Sequence, residues 1–187
     1  MTKNKIREII NDGLAQKKLC RVFLKYDVNY RYYFPLICND TLFLGTEEDD
    51  FILDGYSIRR YKDITEVQIK NDMCVKILEL EGVSDNLITP DIDLANWEGI
   101  FKSLQERNNN IIIEKESLNE EESEFVIGRI EKVYKRFVYI RHFDADGIWQ
   151  DKPYKILFTR ITSITFASRY VNFFQKYLTA LPNNFGK

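Results

Sequence analysis

The chain carries a long internal repeat, and this repeat constrains the fold more than any single motif. Residues 59–69 align with residues 156–166 at an offset of 97 residues, and from Tyr61 and Phe158 onward the two segments share their order of apolar and polar positions, with Ile64 matching Ile161. The same offset joins four further pairs, which are Asp49 and Asp146, Asp54 and Asp151, Met73 and Tyr170, and Ile77 and Phe174. Upstream the offset falls to about 90, where residues 10–14 match residues 100–104. A repeat of this length predicts a duplicated domain, because solenoid repeats are much shorter.

The length of 187 residues fits one or two domains, and the repeat favours two. We predict a first module over residues 1–80, a linker over 81–92, a second module over 93–181 and a tail over 182–187. A hydrophobic content of 44% and an aromatic content of 14% are sufficient for two small cores.

Charge excludes a strongly cationic protein. Residues 1–90 carry 13 basic and 15 acidic side chains, and residues 91–187 carry 14 of each. Neither half therefore has a bulk electrostatic attraction to nucleic acid or to an anionic membrane. No run approaches the roughly 20 apolar residues of a membrane span, and no apolar leader follows Met1. These observations predict a cytoplasmic protein that does not bind membranes.

The three cysteines do not predict a disulfide framework. Cys20, Cys38 and Cys74 are odd in number, lie in the first module and have apolar neighbours. We expect buried, reduced thiols that act as small hydrophobic side chains.

Each module is predicted to open with a helix. Apolar residues recur at helical spacing over residues 6–14 and again over 94–104, the second after a start signal at residues 90–93. Residues 17–18, both lysine, and the asparagines at 108–110 are expected to end these helices, since asparagine tolerates the left-handed conformation.

Short strands follow each helix. In the first module they are predicted at residues 22–24, 30–37, 41–44, 52–61 and 64–69, and in the second at 111–113, 125–133, 137–143, 148–158 and 161–166. Tight turns are expected at Asp54-Gly55 and at Asp146-Gly147. Residues 170–178 have helical spacing, whereas residues 73–80 fit a strand or a helix. The pattern predicts a mainly β protein with helices, in which each module is a small five-stranded barrel.

A helix followed by five short, strongly bent strands resembles the Sm-like fold. Residues 128–133, 137–140 and 143–147 are similar to the first part of an Sm-like domain, where a glycine, here Gly128, opens a strand that bends round the barrel. The pattern also resembles a group of bacterial proteins of unassigned function. The resemblance implies two tandem Sm-like barrels, each preceded by a helix.

The sequence departs from the Sm-like pattern at two points. Pro35 occupies the position that Gly128 has in the second module. Neither module has the Arg-Gly or Lys-His pair with which Sm-like RNA-binding proteins line their uridine pocket. The resemblance therefore predicts the fold, whereas the residues that line the RNA pocket in the family are missing.

The first module has an aromatic cluster with one arginine, formed by Tyr26, Tyr30, Arg31, Tyr32 and Tyr33. Tyrosine and arginine dominate the energetics of protein interfaces. We interpret Tyr30, Arg31 and Tyr32 as the site that binds a partner protein, with packing of the strand as the alternative.

The second module has a basic and aromatic segment at residues 132–142. Basic side chains bind phosphates while aromatic rings stack on bases, so Lys132, Lys135, Arg136 and Arg141 are the candidates for RNA binding. The alternative is an ordinary hairpin with one packed face and one wet face.

No motif predicts an enzyme or a cofactor. His142, the single histidine, has no fixed catalytic partner in the sequence. The segment that begins at Asp144 resembles a calcium loop only in its first residues, because its glycine comes too early and Lys155 replaces the closing glutamate. The acidic residues 47–50 form a similar loop, which we interpret as solvated.

We therefore predict a non-enzymatic protein without metal or cofactor that binds a protein partner, with RNA binding through the basic hairpin as the alternative. Small barrels leave strand edges with unpaired backbone groups, so self-association through an edge is a further expectation.

Overall fold

The computed structural model describes residues 1–27, 29–182 and 185–186, and it divides the chain into two compact units, Met1–Pro90 and Asp91–Lys187. Residues 183, 184 and 187 of the predicted tail lie outside the described part. The prediction of a mainly β protein with helices is confirmed.

Unit 1 begins with helix α1 (Lys3–Ala15). Its strands are β1 (Cys20–Leu24), β2 (Tyr30–Cys38), β3 (Leu42–Asp49), β4 (Ile52–Arg60) and β5 (Ile64–Ile69), and helix α2 (Met73–Leu80) follows. Among the described residues these strands form an antiparallel sheet in the order β5-β1-β2-β3-β4.

Unit 2 repeats this succession. Helix α3 (Trp97–Arg107) precedes strands β6 (Asn110–Lys115), β7 (Glu124–Val133), β8 (Phe137–His142), β9 (Tyr154–Leu157) and β10 (Ser163–Phe166), and helix α4 (Arg169–Phe174) follows. The antiparallel order in the described residues is β10-β6-β7-β8-β9. Counted from the start of each unit, the two strand orders are the same. The short 3-10 turns before the last strands, Tyr61–Asp63 and Phe158–Arg160, also begin 97 residues apart.

The helix ends follow from their capping residues. Residues 73–80, for which the sequence left two structures open, are helix α2, and the Asp72 carboxylate caps its first turn. Asn108 ends α3 with a φ of 55°, which confirms the predicted left-handed asparagine. The predicted start of α3 at residues 90–93 was wrong, because the Asn96 side chain caps the helix and accepts from the Gly99 amide at 3.0 Å.

Two predictions about strand ends were also wrong. Asp54-Gly55 is no hairpin turn, since it lies inside β4 as a bulge at which Gly55 has a φ of 68°. β9 is shorter than the predicted residues 148–158, because Trp149 forms an isolated bridge with Phe143 and packs in the core. The turn at Asp146-Gly147 does form, and the Gly147 amide donates to the Asp144 carbonyl at 3.0 Å.

In each unit, the helix that follows the last strand packs against the sheet. In unit 1, Val75 and Leu78 of α2 pack on Leu19 and Phe34. In unit 2, Val171 of α4 packs in a cluster with Ile112, Ile127, Phe143 and Trp149. The N-terminal helix α1 packs Ile6 and Ile10 into a separate core with residues from β1, β2, β3 and β5.

One close contact between neighbouring strands explains a sequence difference between the units. A Cβ atom on Gly128 would lie 2.1 Å from the Arg141 carbonyl oxygen, so β7 and β8 can approach only because residue 128 is a glycine. In unit 1 the corresponding strand carries Pro35, and the glycine stands opposite it, at Gly45 of β3. A Cβ on Gly45 would lie 2.9 Å from the Phe34 carbonyl oxygen. The glycine that permits the close approach thus lies on β7 in unit 2 and on β3 in unit 1.

The cysteines are free thiols in three environments. Cys20 is fully buried, and burial together with the nearby Cys38 raises the pKa of its thiol to about 12. Cys38 is partly buried, and Cys74 is exposed on α2, so the expectation of burial was wrong for Cys74. Within the described residues, the helices are too short or too polar to cross a membrane.

Candidate functional site

A groove of about 450 Å³ lies in unit 1 beside the start of β2, and Tyr30, Arg31 and Tyr32 all line it. Its other described lining residues are Leu19, Asp27, Asn29, Glu47, Glu48, Asp49, Asp50, Phe51, Lys70 and Cys74. The three residues predicted to bind a partner therefore border one concave surface.

Tyr30 and Tyr32 form an aromatic platform on one face of β2. Their ring centroids are 5.1 Å apart, and the Tyr30 ring also contacts Phe23 at 5.5 Å. The Arg21 guanidinium lies 4.3 Å from the Tyr30 centroid and donates to the Tyr32 hydroxyl at 3.1 Å. Lys70 lies 5.6 Å from the Tyr32 centroid. The platform is held in place by cation–π contacts and one hydrogen bond.

Arg31 does not join this platform. In an extended strand successive side chains point to opposite faces, so Arg31 is separated from Tyr30 and Tyr32. Its guanidinium donates to Asp27 at 3.2 Å and to Glu47 at 3.1 Å. The structure therefore brings two of the three predicted residues together and uses Arg31 to tie the loop before β2 to β3.

The turn between β3 and β4 forms one wall of the groove. Asp49 pairs with Ile52, which leaves a loop of two residues, and these have φ angles of 49° at Asp50 and 68° at Phe51. Positive φ at both positions suits Asn-Gly, whereas a bulky aromatic residue is rare there. The Phe51 side chain is 41% exposed. The wall thus carries an exposed ring on a strained backbone.

The pKa of Glu48 reflects the burial and the negative charge of this wall. Burial, followed by the negative charges of Asp49 and Asp50, raises the pKa of Glu48 above its usual range. The Phe51 amide opposes this effect, since it donates to Glu48 at 2.6 Å. The wall is an acidic surface in which like charges lie close together.

The basic hairpin of unit 2 also combines rings and cations. The Tyr134 and Phe137 rings stack with centroids 4.6 Å apart, and Tyr139 lies edge-on 5.6 Å from Phe137. Lys155 of β9 places its ammonium 4.1 Å from the Phe137 centroid. Lys135 and Arg136 are exposed in the turn between β7 and β8. The partly buried Lys132 lies across from Tyr139.

Arg141 does not belong to this surface, and its prediction as an RNA contact was wrong. The side chain is buried, and it donates to both carboxylate oxygens of Glu131, at 2.8 and 3.1 Å. It also donates to the carbonyls of Gln150 and Asp151. A bulge in β7 between Ile130 and Lys132 leaves Glu131, the ion-pair partner of Arg141, without a paired residue in β8. Arg141 therefore joins the strands of unit 2 internally.

The remaining candidates have structural environments. His142 contacts the Tyr154 ring at 5.8 Å, and burial lowers the pKa of its imidazole. Asp144 stabilises its own turn by accepting from the amides of Asp146 and Ile148. In the described part of the chain, no three His, Cys, Asp or Glu side chains are grouped to hold a metal ion.

Sequence reasoning missed four residues of these surfaces. Arg21 and Lys70 come from strands or loops distant in sequence from Tyr30, and Lys155 likewise reaches the basic hairpin from β9. Only the strand pairing brings them close. Phe51 had a local signal, because it stands between the acidic residues 47–50 and the strand predicted to begin at Ile52.

The comparisons with known proteins give no relative. The chain matches no protein-family model, no curated protein and no solved structure.

Proposed function

We propose that this protein is a non-enzymatic binding protein in which the groove of unit 1 binds a partner protein. Further parts of the proposal are that the two units are tandem Sm-like barrels that arose by duplication, and that the protein works in the cytoplasm. The shared strand order and the 97-residue spacing of the 3-10 turns support the duplication.

The observation that carries the binding role is the preorganised platform of Tyr30 and Tyr32. Tyr30 is 41% exposed, yet contacts with Arg21, Phe23 and Tyr32 fix its ring. A side chain that is already ordered loses little conformational entropy on binding, and tyrosine is enriched among residues that dominate interface energies. An exposed but immobilised tyrosine pair is therefore suited to contact a partner.

The cations of the groove and of its aromatic platform favour binding over catalysis. Arg31 is engaged by Asp27 and Glu47, Lys70 by Asp72, and Arg21 by Tyr32. These groups hold the shape of the groove through contacts with one another. A catalytic acid or base would instead need to be poised toward a substrate.

The test compares Tyr30→Ala and Tyr32→Ala with Tyr177→Ala, which removes an 80% exposed tyrosine from unit 2. Each immobilised variant is exposed to soluble protein from the source organism, and retained proteins are quantified by mass spectrometry. We expect a protein that the wild type and Tyr177→Ala retain and that Tyr30→Ala loses, with affinity lower by about 2 kcal/mol, or about 30-fold. Equal retention by all variants would contradict the proposal.

RNA binding is the second candidate, and the basic hairpin of unit 2 favours it. Tyr134, Phe137 and Tyr139 cluster beneath Lys155, and the described residues include no ion-pair partner for Lys135 or Arg136. Stacked rings beside cations are what sequence-tolerant RNA binding uses.

The salt dependence of RNA affinity tests this candidate. Reversing Lys135 and Arg136 to glutamate should weaken binding of a single-stranded oligonucleotide and flatten the slope of log affinity against log salt by about 1.4. Lys3→Glu with Lys76→Glu changes the same total charge in unit 1 and should leave the slope nearly unchanged. If both pairs act alike, the contribution of the hairpin is only its net charge, and this candidate fails.

A further inference from the structure

The charge of the unit 1 groove restricts which segment of a partner can enter it. Five carboxylates line the groove, on Asp27, Glu47, Glu48, Asp49 and Asp50, against two lining cations, Arg31 and Lys70, and the Arg21 guanidinium that lies on the aromatic platform. Both lining cations are already paired, Arg31 with Asp27 and Glu47, and Lys70 with Asp72. The lining therefore has an excess of negative charge, which is concentrated on the β3–β4 turn.

The aromatic platform adds a second requirement. Tyr30 and Tyr32 already bind one guanidinium, that of Arg21, at 4.3 and 5.6 Å from their centroids. Rings attract cations through their negative faces, and carboxylates do so through their charge. Carboxylates and electron-rich rings border the same groove, so its walls complement an ammonium or guanidinium group and repel a phosphate.

We infer that the groove binds a basic segment of the partner protein, with a lysine or arginine side chain placed between the β3–β4 turn and Tyr30. The inference rests on the proposed function, since it specifies the chemistry of the partner at the same groove. Phe51 stands beside the carboxylates and supplies apolar surface for the aliphatic part of such a side chain.

Two synthetic octapeptides test the inference on the full ¹⁵N-labelled chain, one with alternating arginine and serine and one with alternating glutamate and serine. The amide signals of Tyr32, Glu48 and Phe51 report on the groove. We expect the arginine peptide to shift these signals and the glutamate peptide to leave them unchanged. Shifts of the same size with both peptides would overturn the inference.

A matched pair of neutralised variants separates the groove from general attraction. Glu48→Gln with Asp50→Asn removes two charges from the groove. Both substitutions suit the turn, since the glutamine side chain keeps an acceptor for the Phe51 amide and asparagine tolerates positive φ. Glu120→Gln with Glu121→Gln removes two charges from an exposed turn of unit 2. We expect the first pair to weaken arginine-peptide binding about tenfold and the second less than twofold. Equal losses would overturn the inference.

Tyr30→Ala distinguishes this inference from the proposed function. If Tyr30→Ala releases the partner protein while Glu48→Gln with Asp50→Asn retains it, the aromatic groove stands and the basic segment is wrong. If Tyr30→Ala changes neither the retention of the partner protein nor the binding of the arginine peptide, the proposed function fails as well. Concentration-dependent association of the chain alone, abolished by Lys135→Glu, would identify the occupant as a second copy and overturn the partner-protein inference.

Discussion

In unit 1 the cations beside the aromatic platform are paired with acids or hydroxyls, and a wall of carboxylates faces them. In unit 2 the exposed Lys135 and Arg136 have no ion-pair partner among the described residues, and Lys155 rests on the Phe137 ring. Both surfaces combine rings with positive charge. The balance of charge nevertheless differs, and this difference is why we propose a basic protein segment as the partner of the first surface and keep an anionic partner as the second candidate for the other.

A second difference concerns the two arginines that the sequence singled out. Arg31 of unit 1 is 39% exposed in its side chain, whereas Arg141 of unit 2 is 2% exposed, and each pairs with a glutamate. Arg31 remains at the edge of the groove, and Arg141 is part of the interior. An arginine on a strand thus has one role in unit 1 and another in unit 2, and the difference between the two arginines is how deeply the side chain is buried.

The largest expected effect separates these two ion pairs. Glu131→Gln leaves the buried Arg141 without a counter-charge and should destabilise unit 2 by about 3 to 5 kcal/mol, whereas Glu47→Gln should cost unit 1 about 1 kcal/mol or less. Trp97 and Trp149, the two tryptophans, lie in unit 2, so tryptophan fluorescence in a urea titration reports on that unit. Hydrogen exchange of peptides from residues 1–90 reports on unit 1. Similar losses of stability in the two variants would show that burial does not distinguish the two ion pairs.

The acid response of unit 1 should give a smaller effect. The Asp63 side chain is 3% exposed, and it accepts from Lys25 at 2.9 Å and Tyr26 at 3.2 Å as well as from Arg60. Burial raises the pKa of Asp63, but the hydrogen bonds from Arg60 and Lys25 outweigh it and lower the pKa below its usual range. At the offset of 97 residues, unit 2 has Arg160 at the position that Asp63 occupies in unit 1.

Because the pKa is lowered by folding, Asp63 stabilises unit 1 fully above about pH 4 and loses this contribution as the pH falls through its folded-state pKa. Asp63→Asn should cost about 2 kcal/mol near pH 7 and flatten the acid response of unit 1. Urea titrations near pH 7 and near pH 3, followed by the amide signals of Val22 and Val67, measure both effects. An unchanged acid response in the variant would show that other groups control it.

The sequence predicted the elements of the fold better than their ends. The bounds of β5 matched its pattern because four of its six residues are β-branched, and Asn108 marked the end of α3 by its tolerance of positive φ. Asp54-Gly55 misled because the same dipeptide serves a bulge as readily as a hairpin. The glycine that allows close strand approach could not be placed in unit 1, since Gly45 is remote in sequence from Pro35.

The sequence found part of each surface for a similar reason. Tyr30 and Tyr32 are two residues apart, so the period of a strand places them on one face. Arg21, Lys70 and Lys155 reach their rings through pairing between strands, which local pattern does not specify. Arg141 was misplaced because its ion pair with the buried Glu131 depends on the pairing of β7 with β8, which local pattern does not specify either.

The smallest effect compares the turns of the two units. Phe51 has a φ of 68° in unit 1, and Gly147 has a φ of 76° in unit 2. A residue with a side chain costs roughly 1 kcal/mol or more in this region, so Phe51→Gly should stabilise unit 1 by up to about 1 kcal/mol. Gly147→Ala should destabilise unit 2 by about 1 kcal/mol through the backbone alone, because a Cβ there meets no atom closer than 3.5 Å. Urea titrations followed by amide signals of each unit measure both changes.

If Phe51 serves the groove, Phe51→Gly should also weaken partner binding while it raises the stability of unit 1. This combination separates a functional role of the ring from a packing role. A loss of stability in Phe51→Gly would show instead that the ring is retained for its contacts within unit 1.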